Sequence, residues 1–317
     1  MKTLELMVRS IRKEADTVHS FELESPDGAP LPAFTAGAHI DLQLGERLVR
    51  SYSLANDPAE HHRYVVAIHR EHAGRGGSAH MHEKVMVGQR LRVTLPSNDF
   101  ALDETAPHTV LIAGGIGITP MRAMLHRLEA IGKPWTLWYG GRARSSMAYL
   151  ADIERLQSEG KDVHVHVDSE QEGRVVDMAR IVAEAVPGAH FYCCGPKPML
   201  AAFEAATQPL PADQVHLEYF SAQEAAAAEG GFTLDLARSG KQLPVAPGAS
   251  VLDTLLDAGV QIEFSCMDGI CGSCEVRVLA GEPDHRDSVF SAEERARNDR
   301  MLVCCSGSKS PVLVLDL

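Results

Sequence analysis

The seven cysteines are the residues with most chemistry to offer, and five of them fall within residues 266–305. In Phe264-Ser265-Cys266-Met267-Asp268-Gly269-Ile270-Cys271-Gly272-Ser273-Cys274, four residues separate the first two cysteines and two separate the next pair. Cys304 follows after 29 more. This Cys-x4-Cys-x2-Cys…Cys spacing is the one with which four thiolates hold a [2Fe–2S] cluster. Gly269 and Gly272 fit that chemistry, because a loop wrapping closely round a cluster needs left-handed backbone and no Cβ. A structural zinc site is the competing chemistry, but zinc sites more often use two separated Cys-x-x-Cys knuckles. Spacing alone does not choose between Cys304 and Cys305 as the fourth ligand. A cluster carries one electron at a time, so the chain has to supply an electron source.

Three further stretches bear on that source. Arg50-Ser51-Tyr52-Ser53-Leu54 reads as a strand, with Arg50, Tyr52 and Leu54 on one face and Ser51 and Ser53 on the other. Gly74-Arg75-Gly76-Gly77-Ser78 precedes a short helix through His80, Met81 and Val85; free amides, glycines and an arginine together suit an anion site, and a flexible surface loop is the alternative. Gly114-Gly115-Ile116-Gly117-Ile118-Thr119-Pro120 follows an apolar strand, but Pro120 stands where a dinucleotide fingerprint has its third glycine. His164 and His166 share a strand face, His61-His62 a turn, and His80 and His82 a short helix; none is given a metal role.

The elements that must position these residues change character along the chain. Residues 38–44, 48–54, 64–69 and 89–95 read as strands between Gly, Pro and Asn turns, as in a small antiparallel barrel. From Thr109, strands at 109–113, 135–139, 163–167, 190–193 and 215–219 alternate with helices at about 120–131, 147–157, 175–186 and 198–207. Such alternation implies a parallel sheet with ligand at the C-terminal ends of its strands. Ser221 to Gly231 is low in complexity and reads as a linker. Beyond it come a hairpin around Ser239-Gly240, a helix capped by Ser250, the cysteine loop, a capping box at Ser291–Glu294 and a terminal strand.

With 317 residues and 45% hydrophobic side chains, the chain suits two or three domains. A net charge of −13 argues against nucleic acid and anionic membranes as partners. No apolar run is long enough to span a bilayer, and the first residues lack the apolar core of a signal peptide. The odd, late-clustered cysteines do not resemble a disulfide framework. A cytoplasmic, reducing setting is expected.

Taken together, the Arg-x-Tyr-Ser-Leu, Gly-Gly-Ile-Gly-Ile-Thr-Pro and Cys-Cys-Gly-Pro stretches and the cysteine set resemble the phthalate dioxygenase reductase family over the whole chain. Asp284-His285-Arg286-Asp287 and the final Leu-Val-Leu-Asp-Leu also look like that family. The resemblance implies a multidomain chain: an antiparallel β-barrel flavin domain at 1–103, an α/β parallel-sheet NAD domain at 104–222, a linker at 223–231, and an α+β (β-grasp) plant-type ferredoxin domain at 232–317. It implies FMN, NADH and a [2Fe–2S] cluster held by Cys266, Cys271, Cys274 and Cys304, leaving Cys305 to pack as a small buried residue.

For FMN the resemblance implies Arg50, Ser51, Tyr52, Ser53, Ala67, Ile68, His69, Arg75, Gly76, Gly77, Ser78, Thr119 and Phe220. For the nicotinamide nucleotide it implies Gly115, Gly117, Cys194, Gly195 and Pro196. Asp168, at the end of the third strand of the NAD domain, is placed to accept from the adenosine ribose and to repel a 2′-phosphate, which favours NADH. Arg142 after Tyr139-Gly140-Gly141 keeps NADPH in view. Cys194, Thr119 and Ser53 are candidates for the hydride-transfer face, and no acid–base pair is expected. The implied function is electron transfer, as a monomer, from NADH through FMN and the cluster to a separate Rieske-type oxygenase. A cytochrome P450 as acceptor and a redox-sensing role are the alternatives. Gly307 departs from the arginine that relatives often carry.

Overall fold

A computed structural model describes residues 2–45, 47–71, 76–220 and 231–317. The first module comprises β1 Thr3–Ala15, β2 Val18–Glu24, β3 His39–Gln43, β4 Val49–Ser53, β5 Arg63–His69, α1 Gly77–Glu83 and β6 Arg90–Thr94. Its strands run in the order β4-β3-β6-β1-β2-β5. A bridge between Leu54 and Val66 brings the two outer strands together, so the sheet curls into a barrel and hides its edges. Leu6, Val8, Phe21, Ile40, Leu54 and Tyr64 fill the interior. The hairpin β1–β2 is the part that periodicity does not reveal. A register shift between Val8 and Ser10 moves the inward phase from even to odd positions, so Leu6 and Val8 alternate cleanly but Ile11 does not follow them. Helix α1 stops at Glu83, short of Val85, whose side chain turns into the barrel core instead.

The second module comprises β7 Thr109–Gly114, α2 Ile118–Ile131, β8 Trp135–Gly141, α3 Leu150–Ser158, β9 Val163–Val167, α4 Met178–Glu184, β10 His190–Cys194, α5 Lys197–Thr207 and β11 Val215–Glu218. All its strands are parallel, in the order β11-β10-β7-β8-β9. The order reverses between β7 and β10, and a crevice opens at such a switch point. Gly132 ends α2 in the left-handed region at φ 65°, as its position after the apolar run suggests. Helix α3 begins three residues later than its apolar spacing implies, because Tyr149 is left-handed at φ 57° and cannot continue a helix. Helix α4 is shortened likewise: the Asp177 side chain accepts from the Arg180 amide at 3.0 Å and fixes its start.

Ala15, Val18, Ala36, Ala67 and Phe100 of the barrel module pack into the same core as Leu111, Met121, Leu137 and Tyr192 of the parallel sheet. The two modules thus form one compact unit, residues 1–218.

The second unit, 219–317, carries β12 Phe232–Leu236, β13 Lys241–Val245, α6 Val251–Asp257, β14 Glu275–Ala280, β15 Pro283–Asp284, α7 Ala292–Ala296, β16 Arg300–Leu302, β17 Gly307–Ser308 and β18 Val312–Leu315. Its mixed sheet, β13-β12-β18-β14-β16, has one parallel pair, β12 with β18, and α6 contributes Val251, Leu252 and Leu255 to its core. This is a β-grasp arrangement. Ser250 caps α6 by accepting from the Asp253 amide at 3.0 Å, and Ser291 and Glu294 form a reciprocal capping box on α7. Caps of this kind are each worth ~1 kcal/mol.

Candidate redox centres

The cysteine sulfurs gather in two groups. The Cys266 and Cys271 thiols hydrogen-bond to each other, as do those of Cys274 and Cys304, and Cys304 also meets the Cys305 thiol. The hydrogen bond from Cys266 pulls the Cys271 thiol down to about 6, against its own burial, while Cys266 is pushed up by the same bond and by burial. Among the described residues no three His, Cys, Asp or Glu side chains converge as a single-ion site would require. Two facing pairs suit a two-iron cluster, in which each iron takes two thiolates.

The loop backbone fits as well. Met267, Gly269 and Gly272 are all left-handed, at φ 58°, 69° and 75°, and the Asp268 amide donates to the Cys266 sulfur at 3.3 Å. A Cβ on Gly269 would lie 2.6 Å from the Cys305 sulfur, so this glycine is required by contact as well as by conformation. Cys305 itself is buried, its thiol directed at the Leu302 carbonyl at 3.9 Å.

In the first unit, β4 sets Arg50, Ser51, Tyr52 and Ser53 in a row against β3. Ser51 spends its hydroxyl on the buried Asp41 carboxylate at 2.6 Å. Arg50 lies across Gly77, where a Cβ would come within 2.5 Å of its Cγ; that contact brings the strand and the glycine loop together. Gly76 is left-handed at φ 85°, and the Ser78 hydroxyl accepts from the Glu71 amide at 3.0 Å. Arg75 lies outside the described residues, as do residues 221–230 of the expected linker. On β5, Ala67 faces the shared core, Ile68 the barrel interior, and His69 meets the Thr17 hydroxyl at 3.0 Å. Phe220 is exposed and belongs to the second unit.

The turn after β7 and the turn after β10 interlock at the switch point. Gly115 is left-handed at φ 54°. A Cβ on Gly117 would sit 2.1 Å from the Cys194 carbonyl oxygen, so nothing larger than glycine passes there. Gly195 approaches Gly114 and Met199, and Pro196 covers Gly114. Thr119, buried in the first turn of α2, donates to the Ile116 carbonyl at 3.0 Å, which leaves its oxygen lone pairs as acceptors. At the far ends of β8 and β9, the Ser169 amide donates to the Arg142 carbonyl at 3.1 Å, beside Asp168. Asp168 lies 3.5 Å from His166. His166 and His164 do not share a ligand: the first donates to the Arg174 carbonyl and the second stacks on Trp138.

One residue of this crevice has no local signature. Glu218, last in β11, takes hydrogen bonds from the Ser53 hydroxyl and the Cys194 thiol, joining two of the hydride-face candidates. Although the residue as a whole is only partly buried, its carboxyl end is enclosed, and Oε2 has no partner among the described residues. Burial, reinforced by Asp99, pushes its carboxyl up to about 8 from 4.5. The group is therefore held neutral near pH 7.

The sign of the consequence follows. Between pH 4.5 and 8 the folded state binds a proton that the unfolded state does not, so stability falls as pH rises through this window. Glu218→Gln should remove that slope. In denaturant titrations at pH 6 and pH 9, the wild type should lose stability relative to the variant at the higher pH. Parallel curves would place the carboxyl in water.

A barrel backed onto a parallel sheet with a glycine-lined switch point, together with a β-grasp unit holding paired cysteines, defines a flavin- and nicotinamide-dependent oxidoreductase with an iron–sulfur module. Comparison with known proteins narrows this. Residues 111–205 match the oxidoreductase NAD-binding domain, and residues 234–308 match the 2Fe-2S iron-sulfur cluster binding domain. The chain is 53% identical over 317 residues to the phenoxybenzoate dioxygenase subunit beta of Ectopseudomonas oleovorans, covering all of this chain and 98% of that one. It is 38% identical to the phthalate dioxygenase reductase of Burkholderia cepacia, covering 99% and 97%. A solved phthalate dioxygenase reductase, a modular structure for electron transfer from pyridine nucleotides to [2Fe–2S], superposes with a TM-score of 0.84 at 38% identity, covering 99% and 98%. The chain belongs to the phthalate dioxygenase reductase family.

Proposed function

We propose that this chain is the reductase component of an oxygenase system, taking electrons from NADH through FMN and its cluster to a separate Rieske-type terminal oxygenase. The observation that carries this reading is the meeting of Ser53 and Cys194 on Glu218 in a chain that also pairs four cysteines. Bound flavin takes up two electrons as hydride and gives them out singly, which a one-electron carrier requires.

The protein's part is positioning. Gly115, Gly117, Gly195 and Pro196 let the nicotinamide nucleotide lie close to backbone at the switch point, and Cys194 lines the hydride face. Ser53 and Thr119 offer hydroxyl oxygens to the flavin ring, and the Arg50 guanidinium favours its reduced, more negative form. Ser51, Tyr52 and His69, with the backbone at Ala67 and Ile68, line the flavin, while Arg75, Gly76, Gly77 and Ser78 hold its phosphate. Asp168 accepts from the adenosine ribose and disfavours a 2′-phosphate, with Arg142 on the neighbouring strand. Cys266, Cys271, Cys274 and Cys304 hold the cluster. The working boundaries are 1–103, 104–222 and 232–317, in a monomeric cytoplasmic protein. Among the described residues no helix is long and apolar enough to cross a membrane.

The purified chain should contain one FMN and two irons and reduce cytochrome c with NADH. NADPH should be at least ~10-fold less effective, the equivalent of ~1.4 kcal/mol. Bound flavin and iron with no NADH turnover would favour the sensor reading and overturn this one.

A further inference from the structure

The second unit buries a charged group that the electron path above does not use. Asp287 has a fully buried side chain. One carboxylate oxygen, Oδ1, accepts from the Val289 and Phe290 amides at 3.0 and 2.8 Å. The other, Oδ2, has no hydrogen-bond partner among the described residues; the His285 ring nitrogen Nδ1 stands 3.6 Å away. Arg295 donates to the Asp287 carbonyl and holds its guanidinium 3.9 Å from Oδ1. A carboxylate in so dry a place is costly unless it is paired and hydrogen-bonded.

Its backbone touches the cysteine loop. A Cβ on Gly269 would come within 3.3 Å of the Asp287 Cα, and the Ser288 amide donates to the Gly269 carbonyl at 2.8 Å. The same segment reaches the residues just after the fourth cysteine: Asp284 pairs with Gly307, and the Arg286 amide donates to the Ser306 hydroxyl at 3.3 Å. Residues 284–290 therefore clasp the loop of Cys266–Cys274 from one side and the Cys304–Gly307 segment from the other. The Asp287 backbone lies against the loop, and Arg295 holds a positive charge 3.9 Å from its carboxylate.

We propose that Asp287 is a positioning residue of the cluster loop, and that its buried charge, opposed by Arg295, sets the reduction potential of the cluster. One-electron reduction adds negative charge and makes or breaks no bond, so a fixed anion nearby disfavours it and a fixed cation favours it. Net charge around a cluster is among the determinants of its potential. This inference rests on the assignment of the four cysteines to a [2Fe–2S] cluster.

The test is a redox titration followed by electron paramagnetic resonance on the holoprotein, with iron content measured first. Asp287→Asn should shift the midpoint to more positive values, by up to tenfold in the reduction equilibrium, equivalent to about 59 mV for one electron. Arg295→Met should shift it the opposite way. Opposite shifts at two irons per chain are what a purely structural role would not produce. Should Asp287→Asn assemble no cluster, Arg295→Met decides alone. Unmoved midpoints, or shifts of one sign in both variants, overturn the proposal. A wild type without two irons would overturn the cluster assignment, and this inference with it.

Discussion

Cys271→Ser should lose NADH-driven cytochrome c reduction while still reducing ferricyanide from the flavin at close to the parental rate. Cys271 is the more acidic sulfur of its pair, because the Cys266 thiol hydrogen-bonds to it, and a serine hydroxyl is a far harder and less acidic group than a thiol. Removing it leaves Cys266 without the partner with which it would face one iron. Changes to groups merely supporting a metal ligand cost roughly 10–100-fold, so loss of a ligand should exceed ~10²-fold. The first unit has its own core and should keep its flavin. Measuring both acceptors on one preparation, with flavin and iron content, separates the two ends of the electron path. Loss of both activities with flavin still bound would show that the path is not modular.

Gly117→Ala is expected to be nearly as severe, but at the opposite end of the path. The added methyl would meet the Cys194 carbonyl oxygen at 2.1 Å and its carbon at 2.5 Å, and both belong to backbone, which cannot rotate away. The turn after β7 and the end of β10 must then part. Overpacking costs typically ~1–3 kcal/mol; a backbone clash belongs at the upper end, lowering the melting temperature by roughly 5–10 °C. The effect on chemistry should be larger, because displacement of about 1 Å at a reacting centre costs ~10²-fold. Stopped-flow reduction of the flavin by NADH would measure it. Gly115→Ala gives the contrast: a Cβ there meets nothing within 4 Å, but the residue is left-handed at φ 54°, so strain alone should be seen. Equal hydride-transfer rates in wild type and Gly117→Ala would remove this turn from the nicotinamide site.

What was readable beforehand follows a physical pattern. The cysteine spacing was legible because three of the four sulfurs come from one short loop, where sequence distance and spatial distance agree. The strand–helix alternation after Thr109 was legible because buried parallel strands are continuous apolar runs, as in Thr109–Gly114. Hairpin β1–β2 was not, because a bulge after Val8 breaks the two-residue period. Glu218 was invisible for a different reason. Nothing in Val215-His216-Leu217-Glu218 marks the glutamate, whose character comes from Ser53, Asp99 and Cys194, all remote in sequence. Asp287 lies between these cases. The motif around it stood out, but its contact with Gly269 is a tertiary fact.

Among the described residues, the hydrophobic interior of residues 219–317 is built within that unit. Substitutions that share no contacts generally add in their effects on stability. Natural variation in the cluster-bearing unit can therefore accumulate without eroding the foundation on which flavin and nicotinamide are aligned. Such a chain can change the company it keeps at one end while its fuel stays the same at the other.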